Sequence, residues 1–314
     1  MMTINHVKIF APATLANVGP GFDVLGIALD QPGDIVIAER KNEKGLSFSL
    51  HDASNPLPGN HKNVAAHVAN LMLEEFNPPY GISMILQKNM PIGSGLGSSG
   101  ASSAAAALAI NTLLPKPLAK MDLVRFAMEG EMLASGSPHA DNVAPALLGG
   151  ACLIRSYHPL DILKLPVKND LFWIVAHPHI EIQTQAARAI LPEMIPLTIA
   201  VKQWGNLAGL ITGLIQGDSG LVGRSLIDHI IEPVRAHLIP GFYEVKAAAL
   251  TAGALGFSIS GSGPSVFAVT PTRELAVRVA TQIQKTFLTL SHIKCDIYIS
   301  NINLEGANIL EQSS

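Results

Sequence analysis

The sequence predicts two α+β domains, residues 1–165 and 166–314, meeting near residue 165. Three observations point there. The chain has 314 residues, past the roughly 250–300 at which one hydrophobic core stops growing. Strand-like and helix-like patterns are mixed in both halves. Between the halves, Pro159–Asn169 reads as a linker.

In order, Val7–Ala11, Asp34–Glu39, Leu46–Leu50 and Gly81–Gln87 are short β-rich runs that read as strands. Within Asn63–Phe76, Val64, Val68, Leu71 and Leu73 recur at helical spacing, bounded by Asn60 and Pro78. A glycine-serine loop then opens an alanine-rich helix, Ala101–Leu114, which Pro115 stops. A helix over Met121–Ala134 and a strand over Gly149–Arg155 complete the first half. The second half starts with a strand at Leu171–Ala176, followed by helices over Thr184–Ile190, Gly205–Gln216, Gly220–Ile227 and Gly241–Ala252. A strand pair, Gly256–Ser260 and Ser265–Val269, leads to a helix over Arg273–Thr286 and a closing strand, Lys294–Ser300.

Composition excludes several classes. With 48% apolar residues the chain has ample material for a buried core and is not disordered. Twenty-one basic against 24 acidic residues leave a formal charge of −3, without the basic excess of a duplex nucleic-acid binder. Cys152 and Cys295 make no disulfide framework and lack zinc spacing, so both read as reduced, buried thiols. Met1–Lys8 lacks the basic-then-apolar build of a secretory signal. Pro91–Pro115 is uncharged, yet its glycines and serines replace the large apolar side chains of a membrane span. The expectation is a soluble, cytoplasmic protein with neither a nucleic-acid nor a membrane partner.

The most informative stretch is Pro91-Ile92-Gly93-Ser94-Gly95-Leu96-Gly97-Ser98-Ser99-Gly100-Ala101-Ser102-Ser103, after a strand and opening a helix. Glycines let the backbone take positive φ and approach a ligand closely. Successive N–H groups then form an anion nest, to which the helix N-terminus adds about half a positive charge. The serines supply hydroxyls for a phosphate or Mg²⁺. No Gly-Lys-Ser/Thr follows, so this is not a Walker A loop. Gly95-Leu-Gly-Ser-Ser-Gly100 formally fits a dinucleotide fingerprint, with Asp122 downstream, but Asp122 opens a helix where that fingerprint needs the end of a strand.

Two other segments carry chemistry-bearing residues. In Ala11–Gly26, Asn17 and Asp23 stand in a glycine-proline loop after a strand; locally, turn formation explains them as well as ligand contact does. In Glu129–Pro145, Glu131 ends a helix, Asp141 follows a Gly-Ser-Pro turn, and His139 stands between them. Two such carboxylates can hold a metal and orient a hydroxyl. Glu129 is expected in solvent. Thr184 and Arg188, four apart, share a helix face, and Arg235 follows Glu232-Pro-Val. The turn Ser258–Ser265, containing Gly261, either closes over a substrate or simply joins two strands.

Taken in order, three motifs resemble the GHMP small-molecule kinases: Pro12-Ala-Thr-Leu-Ala-Asn-Val-Gly-Pro-Gly-Phe-Asp23, the loop Pro91–Ser103, and the turn Ser260–Ser265. Within that family the homoserine kinases are the most similar branch, through Ala16–Gly26, Pro138-His-Ala-Asp-Asn-Val-Ala-Pro145, and Glu232–Arg235 followed by Leu-Ile-Pro-Gly-Phe242. The likeness spans nearly the whole chain, and the early Gly-Glu-His of galactokinases is absent.

The resemblance implies an N-terminal nucleotide-binding domain with a left-handed β-α-β unit, an exception to the usual handedness. It also implies a ferredoxin-like C-terminal domain, a cleft site between the two, and a homodimer. The implied reaction uses ATP and Mg²⁺ to phosphorylate L-homoserine, on the route to threonine; the alternative is a GHMP kinase acting on another small alcohol. Carried over by position, Pro91–Ala101 hold the nucleotide, Asn63 contacts adenosine, and Ser99 and Glu131 ligate magnesium. Asn17, Asp23, His139, Asp141, Thr184, Arg188, Arg235 and Gly261 match homoserine-binding positions. Asp141 and Asp23 are the candidate catalytic groups. Chemically, Arg188 and Arg235 suit a carboxylate through charge-assisted bonds of about 1.5–3 kcal/mol each, and Asp23 suits an ammonium or hydroxyl.

Overall fold

The computed structural model describes residues 4–52, 63–168 and 170–314. Met1–Thr3, Asn60 and Asn169 lie outside them.

The chain opens with β1 (His6–Ala16), β2 (Leu25–Lys41) and β3 (Leu46–Asp52), then α1 (Val64–Phe76) and β4 (Gly81–Lys88). β2 is far longer than its pattern suggested. Pro32-Gly33 interrupts the alternation near the middle, and the two ends of the strand have different partners: Leu25–Ile27 pair with a later strand, Ile35–Lys41 with β4. Next come α2 (Ser98–Leu113), α3 (Lys120–Ser135), α4 (Ala140–Leu148), β5 (Ala151–Tyr157) and β6 (Leu160–Leu165). β6 corrects the linker reading of Pro159–Asn169: it pairs antiparallel with β5. α4 went unnoticed because Pro145 lies inside it.

The second half holds β7 (Phe172–Pro178), α5 (Thr184–Ala189), α6 (Leu197–Gln216), α7 (Ser219–Ser225), α8 (Glu232–Arg235) and α9 (Phe242–Thr251). It closes with β8 (Gly256–Ile259), β9 (Val266–Thr270), α10 (Arg273–Ser291), β10 (Cys295–Ser300) and β11 (Asn308–Ser313). Strand β11 had no clear signal, since it is a mostly exposed edge strand. It returns to the first sheet beside β1, giving the order β11-β1-β2-β4-β3 with β5 and β6 branching from β2. β3 and β4 run parallel, connected through α1. The second sheet is antiparallel, in the order β10-β7-β9-β8.

Helix α2 sets the spacing of the first layer. All of it except Ser99 and Thr112 is buried, and its run of serines and alanines lets α1, α3, α4 and the sheet approach closely. The second sheet is covered on both faces. Ile174, Ala176, Val266 and Ala268 face α9 and α10, while Trp173, Val175, Phe267 and Val269 face α6, α7 and the main core. Among the described residues no helix is long and apolar enough to cross a membrane.

Candidate active site

A cleft of about 450 Å³ opens between the glycine-serine loop, the start of α4 and the turn between β8 and β9. Its floor is backbone. Gly93, Gly95 and Gly97 have φ of 63, 77 and 64°, in the left-handed region where glycine avoids strain. Gly97 caps α2, and a Cβ there would sit 1.9 Å from Thr14 Oγ1. The loop is tied to the second half. Ser260 Oγ donates to the Gly95 carbonyl at 2.5 Å, and the Ser265 N–H donates to the Ser94 carbonyl at 3.2 Å.

Of the expected nucleotide contacts, Ile92, Gly93, Ser94, Gly95, Gly97, Ser98, Ser99 and Asn63 line the cleft. Pro91, Leu96, Gly100 and Ala101 do not, and Leu96 and Ala101 are wholly buried in the core. Asn63 has a structural duty as well: its side chain accepts from the Ala65 N–H as the N-cap of α1, at 2.9 Å.

At the foot of α2, Ser99 Oγ donates to Glu131 Oε1 at 2.5 Å. Glu131, near the end of α3, is buried, and desolvation holds its carboxyl above the usual range. Lys88 ends β4 beside them. Its Nζ pairs with Asp34 and donates to the Ser98 carbonyl and Ser102 Oγ, both at 2.8 Å. This buried pair pins the first turn of α2 to the sheet. Sequence reasoning missed Lys88, because a lysine at a strand end normally reaches solvent; its only sequence signal was being the last charge before the uncharged stretch.

The opposite end of the cleft is built from charged side chains. Asn17 and Asp23 both take left-handed backbone conformations, with φ of 69 and 60°. Asn17 accepts from the Asp23 N–H at 3.1 Å and donates to the Gly261 carbonyl at 2.9 Å. The Asp23 carboxylate receives two bonds from Arg188, at 3.2 and 2.5 Å, which push the Arg188 pKa up. His139 stands 3.2 Å from the same guanidinium, and burial lowers its pKa. Thr184 reaches Ser262 at 3.4 Å.

Arg235 differs. It is 3% exposed and donates only to the Ala187 and Gly261 carbonyls, at 3.2 and 2.9 Å. No carboxylate among the described residues lies within ion-pair distance, and desolvation lowers its pKa to about 10. Asp141, in the first turn of α4, is also buried, and its Oδ1 has no hydrogen-bond partner among the described residues. Desolvation, with Asp23 and Glu131 nearby, pushes its pKa up to about 8. Tyr157, also missed from the sequence, accepts from the Ala140 N–H at 3.3 Å and donates to the Asp23 carbonyl at 2.9 Å, joining α4 to the Asp23 loop.

Two family models match the chain. That for the GHMP kinases N terminal domain matches residues 63–150, and that for the GHMP kinases C terminal matches 210–288. The homoserine kinase of Chlorobium phaeobacteroides (strain BS1) is 49% identical over 96% of this chain and 98% of its own. That of Chlorobaculum tepidum is 47% identical over 97% and 98%. Among solved structures, a homoserine kinase from Cytophaga hutchinsonii superposes with a TM-score of 0.94 at 49% identity, over 99% of both chains.

The chain belongs to the homoserine kinase family.

It is therefore a kinase with the two-domain GHMP fold. The eight positions that the sequence matched to homoserine binding (Asn17, Asp23, His139, Asp141, Thr184, Arg188, Arg235 and Gly261) all line this cleft. Gly261 takes part through its backbone, with its N–H given to Ala16 and its carbonyl to Asn17 and Arg235.

Proposed function

We propose that this homoserine kinase transfers the γ-phosphoryl group of ATP to the side-chain hydroxyl of L-homoserine, giving ADP and O-phospho-L-homoserine on the route to threonine. Arg235 carries the reading: a buried cation without an acidic partner, facing a cleft, calls for an anionic ligand. A substrate carboxylate is such a ligand. Asp23, already an ion-pair partner, suits the ammonium of the same zwitterion. A neutral sugar would leave Arg235 unmatched.

The triphosphate lies along the loop, where the amides of Gly93–Ser99 and the N-terminus of α2 meet its charge. The donor set fits Mg²⁺. Glu131 is a buried carboxylate bonded only by a hydroxyl, and Ser99 offers that hydroxyl as a second hard oxygen. Among the described residues no group of three or more His, Cys, Asp or Glu could hold a metal ion by itself, and phosphate and water oxygens would complete the coordination beside Ser99 and Glu131. When bound, the ion supplies neutralisation of the phosphate charge. Burial raises the Asp141 pKa to about 8, which favours its protonated form at neutral pH; in this reading it orients the acceptor hydroxyl, and a phosphate oxygen takes the hydroxyl's proton. Residues up to about 165 form the nucleotide side and later residues complete the acceptor side. A cytoplasmic setting and a two-copy assembly belong to the same proposal.

A coupled ADP-release assay tests this. With MgATP, turnover is expected on L-homoserine and absent on mevalonate and galactose. Turnover on mevalonate, or none on homoserine, overturns the assignment.

A further inference from the structure

The loop that carries Asp23 also carries Phe22, which lines the same cleft. The guanidinium carbon of Arg188 lies over its ring at 5.4 Å from the centroid, and that of Arg235 at 5.2 Å. Two like charges beside one another repel, and Arg188 does lower the pKa of Arg235. Asp23 offsets Arg188 by direct pairing. For Arg235, burial and repulsion are offset in part by the charges of Asp23, Asp228 and Asp141, none of them at ion-pair distance among the described residues, and its guanidinium rests over this ring.

An aromatic face differs from a carboxylate in one respect that matters here. Its quadrupole attracts a cation without neutralising it and without using its N–H donors. A guanidinium over a ring keeps its N–H edge free for a planar carboxylate. An acidic side chain at position 22 would offset the charge the ligand needs, and an aliphatic one would give the two guanidinium groups no π face to rest on. The ring is held in place by its neighbours: the Gly21 N–H donates to the Asn17 carbonyl at 2.9 Å, and the Asp23 N–H to Asn17 Oδ1 at 3.1 Å.

We infer that Phe22 is a positioning residue for carboxylate specificity, a shared π platform that holds the Arg188 and Arg235 guanidinium groups beside one another so that Arg235 meets the carboxylate of an amino-acid substrate. The inference rests on the proposed function, because it needs a carboxylate ligand in this cleft.

The test uses the full chain and three ligands: L-homoserine, 4-hydroxybutanoate, which lacks the ammonium, and 3-aminopropan-1-ol, which lacks the carboxylate. In Phe22→Leu, the KM for homoserine and the inhibition constant for 4-hydroxybutanoate are expected to rise about tenfold together. The constant for 3-aminopropan-1-ol, kcat, and the KM for ATP should move less than twofold. Phe22→Tyr, which keeps the ring, is expected to restore wild-type values. Equal weakening of both analogues would show general disruption of the loop and overturn the inference, as would an unchanged 4-hydroxybutanoate constant or failure of tyrosine to rescue. The unsubstituted enzyme provides the separate control: if it does not turn over homoserine, the proposed function has failed, whereas turnover with no analogue selectivity in Phe22→Leu removes only the role of Phe22.

Discussion

At the end of the cleft proposed for the nucleotide, the lining includes every residue of Ile92–Ser99 except Leu96, offering backbone and hydroxyl groups. At the acceptor end Asn17, Asp23, His139, Asp141, Arg188 and Arg235 come from separate segments and work through their side chains. The nucleotide end depends on local conformation: glycines at positive φ and the start of one helix. The acceptor end depends on bonds between segments far apart in sequence, such as Arg188 to Asp23 and Asn17 to Gly261. A triphosphate is the same for every kinase of this fold, whereas the acceptor varies. Backbone recognition suits the constant ligand, and replaceable side chains suit the variable one.

Substitutions at the two ends should therefore fail differently. Gly97→Ala is expected to have the largest effect, since its Cβ would meet Thr14 Oγ1 at 1.9 Å and Asn142 Oδ1 at 2.6 Å on a backbone at φ 64°. Displacing the loop by about 1 Å should lower kcat/KM for ATP about 100-fold or more. Steady-state kinetics with ATP varied checks this, and a loss confined to homoserine would break the division.

Arg235→Met should come next, with kcat/KM for homoserine falling about 30-fold, equivalent to about 2 kcal/mol, and the KM for ATP little changed. Because it removes a buried charge that has no acidic partner, the same change should leave Tm unchanged or raised, by differential scanning calorimetry. An equal loss for both substrates would place Arg235 outside the acceptor end.

The smallest effect, and the one that sharpens the comparison, is the pH dependence of Asp141→Asn. The carboxyl moves from its ordinary 3.8 to about 8 in the fold, so the folded state binds the proton more tightly than the unfolded chain. The raised pKa means that stability is lost as pH rises from about 4 through about 8, and asparagine escapes that loss. Without ligands, the Tm advantage of Asp141→Asn is expected to widen between pH 5 and 8 and then level off. Partial activity should remain if Asp141 orients the hydroxyl. A fall in kcat of about 10⁴-fold at unchanged homoserine affinity would make it the base.

The difference between the two ends also decides what could be read in advance. The loop Pro91–Ser103 announced itself, because glycines needed for positive φ must be adjacent in sequence. Helices with a strong apolar period, α1 and α10, were found nearly whole. The misses share a physical cause. Strand β6 and strand β11 are exposed on one or both sides, so no apolar alternation marks them, and α4 carries a proline within it. Lys88 and Tyr157 escaped because their importance lies in partners remote in sequence: Asp34 and Ser102 for the lysine, Asp23 and Ala140 for the tyrosine.

By itself the sequence determined the glycine-serine loop, the kinase resemblance and the set of polar residues available to the cleft, since residue type and short-range spacing fix backbone freedom and charge. Only the tertiary structure decided which of those charges are already paired. Arg188 and Arg235 are alike as isolated arginines, yet packing gives one a carboxylate and leaves the other buried with carbonyls and an aromatic ring. That choice belongs to the fold because an ion pair needs its groups within a few ångströms, and Arg188 and Asp23 lie 165 residues apart in sequence.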